Sequence, residues 1–110
     1  PYSYDEVDGE LRSARDLLFL FHEGEPVGFA WLRERREEGE IEPMGIIPGE
    51  QGQGAGRALL SLALQRLRQR GQRRVRIGAW RQNKAAIHLY ENAGLRRVGR
   101  RYYLVYKLVA

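Results

Sequence analysis

The sequence contains no cysteine and only two histidines, His22 and His88, which lie far apart in a chain of 110 residues. The missing cysteines exclude a disulfide framework, and the two histidines do not provide the spacing of a metal site. No apolar run approaches the roughly 20 residues of a membrane-spanning helix, and no secretory signal pattern opens the chain. We therefore expect a cytoplasmic protein of one domain, residues 1–110, without a metal or a membrane partner.

Lysine is also scarce, since 17 of the 19 basic residues are arginine, and the net charge is +5. An excess of positive charge favours polyanionic partners, which include nucleic acids and phosphorylated cofactors. Arginine clusters within residues 73–76, 96–97 and 100–101 motivate a nucleic-acid hypothesis. No RNP, KH or helix-turn-helix pattern supports it, so we expect no specific nucleic-acid partner.

Glycine, by contrast, is concentrated near the middle of the chain. Three glycines fall within five positions of the stretch Gln51-Gly52-Gln53-Gly54-Ala55-Gly56-Arg57. Glycine lets the backbone approach a ligand without a Cβ in the way, and a helix that follows leaves free N–H groups for phosphate oxygens at its positive end. The Walker loop fails because Ala55-Gly56 stands where Lys-Ser/Thr is needed, and the dinucleotide fingerprint fails because Arg57 takes the place of its last glycine. An ordinary strand–turn–helix connection is the alternative interpretation.

Apolar patterning predicts six strands and two helices around this stretch. The predicted strands are residues 16–22, 27–33, 41–47, 74–80, 95–101 and 103–109, and the predicted helices are residues 58–70 and 84–92. Leu11–Ala14, inside the poorly patterned segment 1–15, is interpreted as a short helical turn. Apolar residues of both parities in residues 27–33 indicate a strand covered on both faces. The order predicts an α+β domain with a mixed, mostly antiparallel sheet and one parallel β-α-β crossover.

Proline interrupts one of these strands. Pro43 lies inside the strand predicted over residues 41–47. Because proline has no N–H to donate to a ladder, this position should be an edge, a bulge or a place where pairing stops.

Two motifs resemble the GNAT superfamily of acyl-CoA-dependent N-acyltransferases. Residues 46–60 resemble the family's strand, Val-x-Pro and Q-x-x-G-x-G loop, and residues 83–95 resemble its N-x-x-A-x-x-x-Y-x-x-x-G-F helix, with Leu95 in place of Phe. The resemblance covers roughly residues 16–109 and is closest to the cofactor-binding part of the fold, as in the second half of tandem members such as mycothiol synthase. It implies a sheet that splays between the strand before the loop and the strand after the first helix.

The resemblance implies acetyl-CoA, or another acyl-CoA, as co-substrate. Backbone groups of Met44, Gly45, Ile46 and Ile47 would hold the pantetheine arm, and one N–H would polarise the thioester oxygen. The pyrophosphate would be held by backbone N–H groups of Gln51, Gly52, Gln53, Gly54, Ala55 and Gly56, with Arg57 available for a phosphate. Asn83 would bind the cofactor arm, and the alternative for Asn83 is a plain N-cap.

In the resembled family, a tyrosine of this helix donates a proton to the leaving CoA thiolate. The corresponding residue in this chain is Tyr90. The alternative for Tyr90 is a core aromatic on an apolar helix face. The amine acceptor must lose a proton, directly or through water. Glu40 and Glu42 are two positions apart, so in a regular strand they would point to the same face. Glu42 is the preferred base, and the alternative is that both are solvated carboxylates. The implied function is transfer of an acetyl group to an amine by direct attack in a ternary complex.

The segment before residue 16 is shorter than the strand and helices that open a member of the resembled family. The acceptor amine, a small molecule or a protein N-terminus, is therefore not identified by the sequence. We expect residues 16–21 to present an unpaired sheet edge, and we expect a homodimer or a partner domain to cover it. The second functional hypothesis is a catalytically weak acyl-CoA-binding domain that depends on a partner.

Overall fold

Seven strands and two helices make up the described part of the chain. The structure is a computed structural model that describes residues 17–35, 38–50 and 54–98, and the backbone of residues 11–14 and 103–109. The strands are β1 (Leu11–Ala14), β2 (Leu17–His22), β3 (Glu25–Glu34), β4 (Gly39–Ile46), β5 (Arg74–Trp80), β6 (Arg96–Arg97) and β7 (Tyr103–Val109), and the helices are α1 (Ala55–Gln69) and α2 (Lys84–Asn92). No helix in this part is long and apolar enough to span a membrane.

The strands form one mixed sheet in the order β1-β2-β3-β4-β5-β7-β6. All neighbouring strands are antiparallel except β4 and β5, which are parallel and are connected through α1. Parallel neighbours need a crossover long enough to return the chain to the same end of the sheet, and a helix supplies it. The predicted α+β class and its single parallel crossover are confirmed.

The start of the chain differs from the prediction in two ways. Leu11–Ala14 is a strand and not a helical turn, and it pairs with β2 from Leu11↔Leu20 to Ala14↔Leu17. The expected unpaired edge at residues 16–21 is therefore wrong for Leu17 to Leu20, because β1 occupies their ladder positions on that side of β2. Residues 1–10, the rest of the poorly patterned segment, lie outside the described residues.

Helix α1 covers one face of the sheet with a stripe of apolar residues. Seven of its residues are buried against the strands, namely Ala55, Ala58, Leu59, Leu60, Ala63, Leu64 and Leu67. Packing around Gly28 of β3 is tight, since a Cβ there would lie 2.5 Å from Cδ1 of Ile46 in β4 and 3.3 Å from Cδ2 of Leu59 in the helix. The buried residues of both helices and of the facing strands form one apolar cluster.

The other face of the sheet exposes aromatic rings. Phe29 and Trp31 of β3 are 36% and 44% exposed, and Trp80 of β5 is 61% exposed. The guanidinium of Arg33 lies 5.3 Å from the Trp31 ring centroid, a cation–π distance. The prediction that β3 is covered on both faces is therefore wrong for the described structure, in which only the face that carries Ala30 and Leu32 is buried.

Candidate functional site

A cavity of about 910 Å³ opens between β4, the start of α1 and α2. It is lined by Met44, Gly45 and Ile46 of β4, by Gly54, Gly56, Arg57, Leu60 and Ser61 at the start of α1, and by Asn83, Ala85, Ala86, His88, Leu89, Tyr90, Asn92 and Ala93 on and beside α2. A volume of this order is within the range of small-molecule and cofactor sites. The cavity therefore brings both sequence motifs together, although their nearest ends, residues 60 and 83, are 23 positions apart.

The cavity exists because two strands part. The pairs between β4 and β5 run only from Gly39↔Val75 to Ile41↔Ile77, although both strands continue beyond these residues. On its other side β4 shifts register against β3 between Ala30 and Leu32, next to the predicted interruption at Pro43. The prediction for Pro43 is confirmed, because a bulge lies there and pairing with β5 stops before it.

The parting of the strands leaves backbone groups on one side of β4 without a neighbouring strand. The N–H of Ile47 donates to the carbonyl of Val27 at 2.9 Å. Because the direction of hydrogen bonding alternates along a strand, the backbone groups of Gly45 also point to β3, and those of Met44 point to the side that β5 has left. The same alternation turns the backbone groups of Ile46 to that side, so Met44 and Ile46 are the predicted β4 residues whose backbone faces the cavity.

Ile47 is not placed as the resemblance implies. Its N–H is bound to Val27, and its carbonyl accepts from the N–H of Glu50 at 3.0 Å. Its side chain is 48% exposed, and it lines a smaller apolar cavity of about 310 Å³ on the aromatic face instead of the large one. Both of its backbone polar groups are occupied by the fold.

Helix α1 begins earlier than the sequence pattern predicts. Gly54, with φ of +89°, precedes the first helical residue Ala55, and no side chain caps this end. The first helical bond runs from the N–H of Ala58 to the carbonyl of Gly54 at 3.0 Å. The N–H groups of Ala55, Gly56 and Arg57 consequently have no acceptor within the helix and lie at its positive end. An anion in this end of the cavity would meet them directly.

Gly56 forms part of the wall where the two helices and β4 come close. A Cβ at this position would lie 3.4 Å from Cδ2 of Leu89 and 4.0 Å from Cγ1 of Ile46. The exposed Arg57 is the neighbouring cation on the same rim. Gln51, Gly52 and Gln53, the first half of the glycine-rich stretch, lie outside the described residues, so their predicted role stays a prediction.

Tyr90 lies at the point where β4 and β5 separate. Its side chain is buried, with 5% exposure, and its hydroxyl donates to the carbonyl of Gly78 at 3.4 Å. Gly78 is the first β5 residue beyond the last pair with β4. Tyr90 is thus both a core aromatic and a cavity residue, and it brings an O–H donor to the apex of the gap.

Asn83 caps α2. Its Oδ1 accepts from the N–H of Ala86 at 3.1 Å, as the N-cap alternative predicts. Asn83 also lines the large cavity, where its amide NH₂ remains as a possible ligand donor.

The two candidate bases differ in their surroundings. The Glu40 side chain is 14% exposed and forms an ion pair with Arg35, with 3.0 Å between Oε2 and Nε. Glu42 is exposed, and neither carboxylate lines the large cavity. The alternative that both are solvated is wrong for Glu40. Glu40 and Glu42 were grouped because residues two positions apart in a regular strand share a face. The bulge next to Glu42 interrupts this alternation in β4, so equal parity no longer places both side chains on one face.

Several cavity residues were not singled out from the sequence. Leu60 and Ser61 follow Arg57 by three and four positions, and Ala86, Leu89 and Ala93 lie on one face of α2 with Tyr90. The helical spacing from each motif residue is the signal that could have identified them. The described residues contain no group of three or more side chains suited to hold a metal ion.

Comparison with known proteins supports the family expected from the motifs. The sequence model of the Acetyltransferase (GNAT) family matches residues 1–95. The mycothiol acetyltransferase of Cellulomonas flavigena is 46% identical over 92 residues, which are 74% of this chain and 26% of that protein. The chain thus spans about a quarter of this curated relative. The predicted resemblance to the GNAT superfamily is confirmed.

Solved structures show the same fold. The Escherichia coli ribosomal-protein-S18-alanine N-acetyltransferase superposes with a TM-score of 0.78 at 23% identity, over 96% of this chain and 81% of that one. The PaiA N-acetyltransferase of Thermoplasma acidophilum, solved in complex with coenzyme A, gives a TM-score of 0.78 at 19% identity, over 86% and 62% of the two chains. At these identities the comparison establishes the fold.

Proposed function

Because the chain belongs to the GNAT family of acetyltransferases, we propose that it transfers an acetyl group from acetyl-CoA to an amine by direct attack in a ternary complex. The observation that carries this proposal is the cavity in which the N-terminus of α1, the parted stretch of β4 and the Tyr90 hydroxyl meet. The proposal assigns an anion site to one end of this cavity and a proton donor to the other.

The proposed position of acetyl-CoA follows from these two ends. The pyrophosphate lies at the start of α1, held by the N–H groups of Gly54 to Arg57 and by those of residues 51–53, with the Arg57 side chain on a phosphate. Pantetheine runs along β4, where it takes the place of β5 as the partner of the Met44 backbone. Asn83 donates its NH₂ group to the cofactor arm. The thioester then lies near the apex of the gap, beside Tyr90.

The reaction that we propose is nucleophilic acyl transfer. The neutral amine attacks the thioester carbonyl, a C–N bond forms, and the carbonyl electrons move to an oxygen that receives a hydrogen bond from a β4 N–H. Collapse of this intermediate breaks the C–S bond, and the Tyr90 O–H protonates the departing thiolate. Glu42, Glu40 or a water molecule accepts the proton that the amine must lose. Of the two carboxylates, Glu42 has no ion-pair partner among the described residues.

The acceptor is best proposed from the relatives with the higher identity. These relatives are mycothiol acetyltransferases, with 40% and 46% identity over more than two thirds of this chain. Ribosomal-protein alanine acetyltransferases share the fold at 22–23% identity. We therefore favour a small-molecule amine of the mycothiol class over a protein N-terminus.

The second candidate function is a catalytically weak acyl-CoA-binding domain that depends on a partner. It is favoured by the exposed rings of Phe29, Trp31 and Trp80, because several exposed aromatic rings on one sheet face are typical of surfaces that another protein covers. The apolar cavity of about 310 Å³ beside Phe29 belongs to the same face. We propose that a second copy or a further domain covers this face.

A titration with acetyl-CoA at moderate salt, followed by the melting temperature, tests the proposed function. A ligand that binds only the folded state must raise the melting temperature. Duplex DNA is the control, because a protein this basic should associate with DNA in a strongly salt-dependent way. No stabilisation by acetyl-CoA would refute both candidate functions. CoA release with a panel of small amines and peptides then separates the active enzyme from the binding domain.

A further inference from the structure

Two polar side chains of α2 that the proposed mechanism does not use lie at the mouth of the large cavity, which is formed by the exposed lining residues of α1 and α2. His88 and Asn92 are exposed, and both line the cavity. They are four positions apart and therefore neighbours on one face of the helix, and Nε2 of His88 lies 2.9 Å from Nδ2 of Asn92. Because an amide NH₂ group can only donate, Nε2 accepts this hydrogen bond, and the neutral imidazole carries its proton on Nδ1. The contact thus leaves an N–H donor on His88.

The first turns of α1 form the other side of the mouth. Arg57 and Ser61 are exposed, line the same cavity and are also four positions apart, so they share a face of their helix. The two helices come close between these pairs, where a Cβ on Gly56 would lie 3.4 Å from Cδ2 of Leu89. Gly56 directly precedes Arg57, and Leu89 directly follows His88. A guanidinium, a hydroxyl and an imidazole N–H therefore flank one opening, and all three can donate to an anion.

The lining of the cavity changes from polar to apolar between the mouth and the interior. The side chains that line the interior are buried or half-buried, and apart from the Tyr90 hydroxyl they are apolar, namely Met44, Ile46, Leu60, Ala86 and Leu89. The cavity therefore suits a ligand that has a polar, anionic outer end and a less polar inner arm. CoA has this distribution, because its ribose carries a 3′-phosphate and its pantetheine arm carries no charge.

We propose that His88 and Ser61 bind the 3′-phosphate of CoA across this mouth, an inference that rests on the proposed function. With the pyrophosphate at the first turn of α1 and pantetheine along β4, the nucleoside continues outward from the pyrophosphate and reaches the mouth. The last turn of α2 carries the negative end of its helix dipole, so the phosphate lies on the side of α1, near Ser61 and Arg57. The Nδ1–H of His88 closes the site from α2. Asn92 is a positioning residue, because its hydrogen bond to Nε2 keeps the proton of His88 on Nδ1.

The dissociation constants of CoA and 3′-dephospho-CoA, measured by titration calorimetry at one pH and salt concentration, test this site. The wild type should bind CoA about tenfold to a hundredfold more tightly, the range expected for charge-assisted hydrogen bonds to the phosphate. His88→Ala should weaken CoA binding by about tenfold and leave 3′-dephospho-CoA within twofold of the wild type. His88→Gln, which keeps an N–H donor, should retain part of the preference for CoA. Asn92→Ala should reduce that preference by a smaller factor, about threefold, because it removes only the hydrogen bond that orients His88.

The ratio of the two affinities separates phosphate binding from support of the helix. Glu91→Gln is the matched control, since Glu91 is an exposed residue of α2 outside the cavity, and it should leave the ratio within twofold of the wild type. Equal losses for both ligands in His88→Ala would show that the pair only stabilises α2 and would refute the inference. Equal affinities of the wild type for CoA and 3′-dephospho-CoA would also refute it, while the proposed function would stand. A wild type that binds neither ligand would refute both.

Discussion

Replacing Gly56 with glutamate should abolish cofactor binding and leave the fold intact. A Cβ at this position would lie 3.4 Å from Leu89 and 4.0 Å from Ile46, both of them side-chain contacts, so the ligand-free structure has room for it. The residue is already in the first helical turn, which tolerates glycine, so a helix-forming residue in its place costs no helix propensity. A carboxylate in the first turn gains 0.3–1 kcal/mol, roughly, from the helix dipole. The ligand-free variant should therefore melt no lower than the wild type.

The expected loss of acetyl-CoA affinity is large because the introduced carboxylate and the negatively charged pyrophosphate would share one small site. At about 4 Å and an effective dielectric constant of 20, one unit of charge repels another by about 4 kcal/mol. Each 1.4 kcal/mol, approximately, is a factor of ten in the dissociation constant, so binding should weaken about a thousandfold. Gly56→Ala adds the Cβ without the charge, and it should weaken binding by a much smaller factor.

Thermal denaturation with and without acetyl-CoA measures this difference. At a ligand concentration of 100 times the wild-type Kd the bound state gains about 2.7 kcal/mol, and a thousandfold weaker site gains less than about 0.1 kcal/mol. The matched control is Gln65→Glu, which introduces the same charge on the same helix at an exposed position outside the cavity. It lies about 13 Å further along the helix axis, beyond the Debye length of about 8 Å at physiological salt. Full stabilisation of Gly56→Glu by acetyl-CoA would show that the phosphate site lies elsewhere.

Three further predictions concern catalysis and assembly. Tyr90→Phe keeps the ring and removes the donor, so kcat should fall by about tenfold to a hundredfold or more while the acetyl-CoA Kd stays within a few-fold; a change in Kd alone would assign Tyr90 to packing. Glu42→Gln should lower kcat more than Glu40→Gln, whose carboxylate is already bound to Arg35, and equal rates for both variants and the wild type would leave water as the base. Trp31→Ser should shift the mass measured by light scattering at micromolar concentration from dimer to monomer, whereas a monomeric wild type with full activity would contradict the proposed cover.

The elements with strong periodicity could be predicted from the sequence. The strand Arg74–Trp80 and the helix Lys84–Asn92 have the predicted bounds, because alternation and capping signals agree there. Helix α1 begins three residues before the predicted start, at Ala55. Glycine disfavours helix interiors, so pattern analysis assigns Gly56 to a loop. The first turn, whose N–H groups bond no helical carbonyl, accepts it at little cost.

The exposed face and the first strand could not be predicted in the same way. Leu11–Ala14 is too short to show a period, and it becomes a strand through pairing with β2. Phe29 and Trp31 are apolar at every second position, and apolar residues at the intervening positions make β3 look buried on both sides. Whether a face is covered depends on what packs against it, and a local pattern does not contain that information.

The sequence motifs predict which residues line the cavity where a motif fixes backbone geometry, and they do so less well where a side chain must point in a given direction; the roles of these residues stay predictions. Gly54, Gly56 and Tyr90 line the cavity as the motifs imply. Glu42 does not, because a bulge next to it changes which residues face the gap. His22 and Glu50, whose Nδ1 and Oε1 atoms lie 3.4 Å apart, are separated by 28 positions without any repeating pattern, so only the folded chain brings the two residues together.

The same interruption of the sheet that opens the cavity also positions the Tyr90 hydroxyl, the proposed proton donor. Pairing between β4 and β5 ends at Ile41↔Ile77, and Gly78 is the next residue of β5. The Gly78 carbonyl accepts a hydrogen bond from the Tyr90 hydroxyl, and the Tyr90 side chain is buried in the core. The hydroxyl therefore lies at the apex of the gap. In the proposed mode of binding, an acyl-CoA that follows β4 from the start of α1 ends beside that hydroxyl, and the register of three residue pairs would set the place of the thioester.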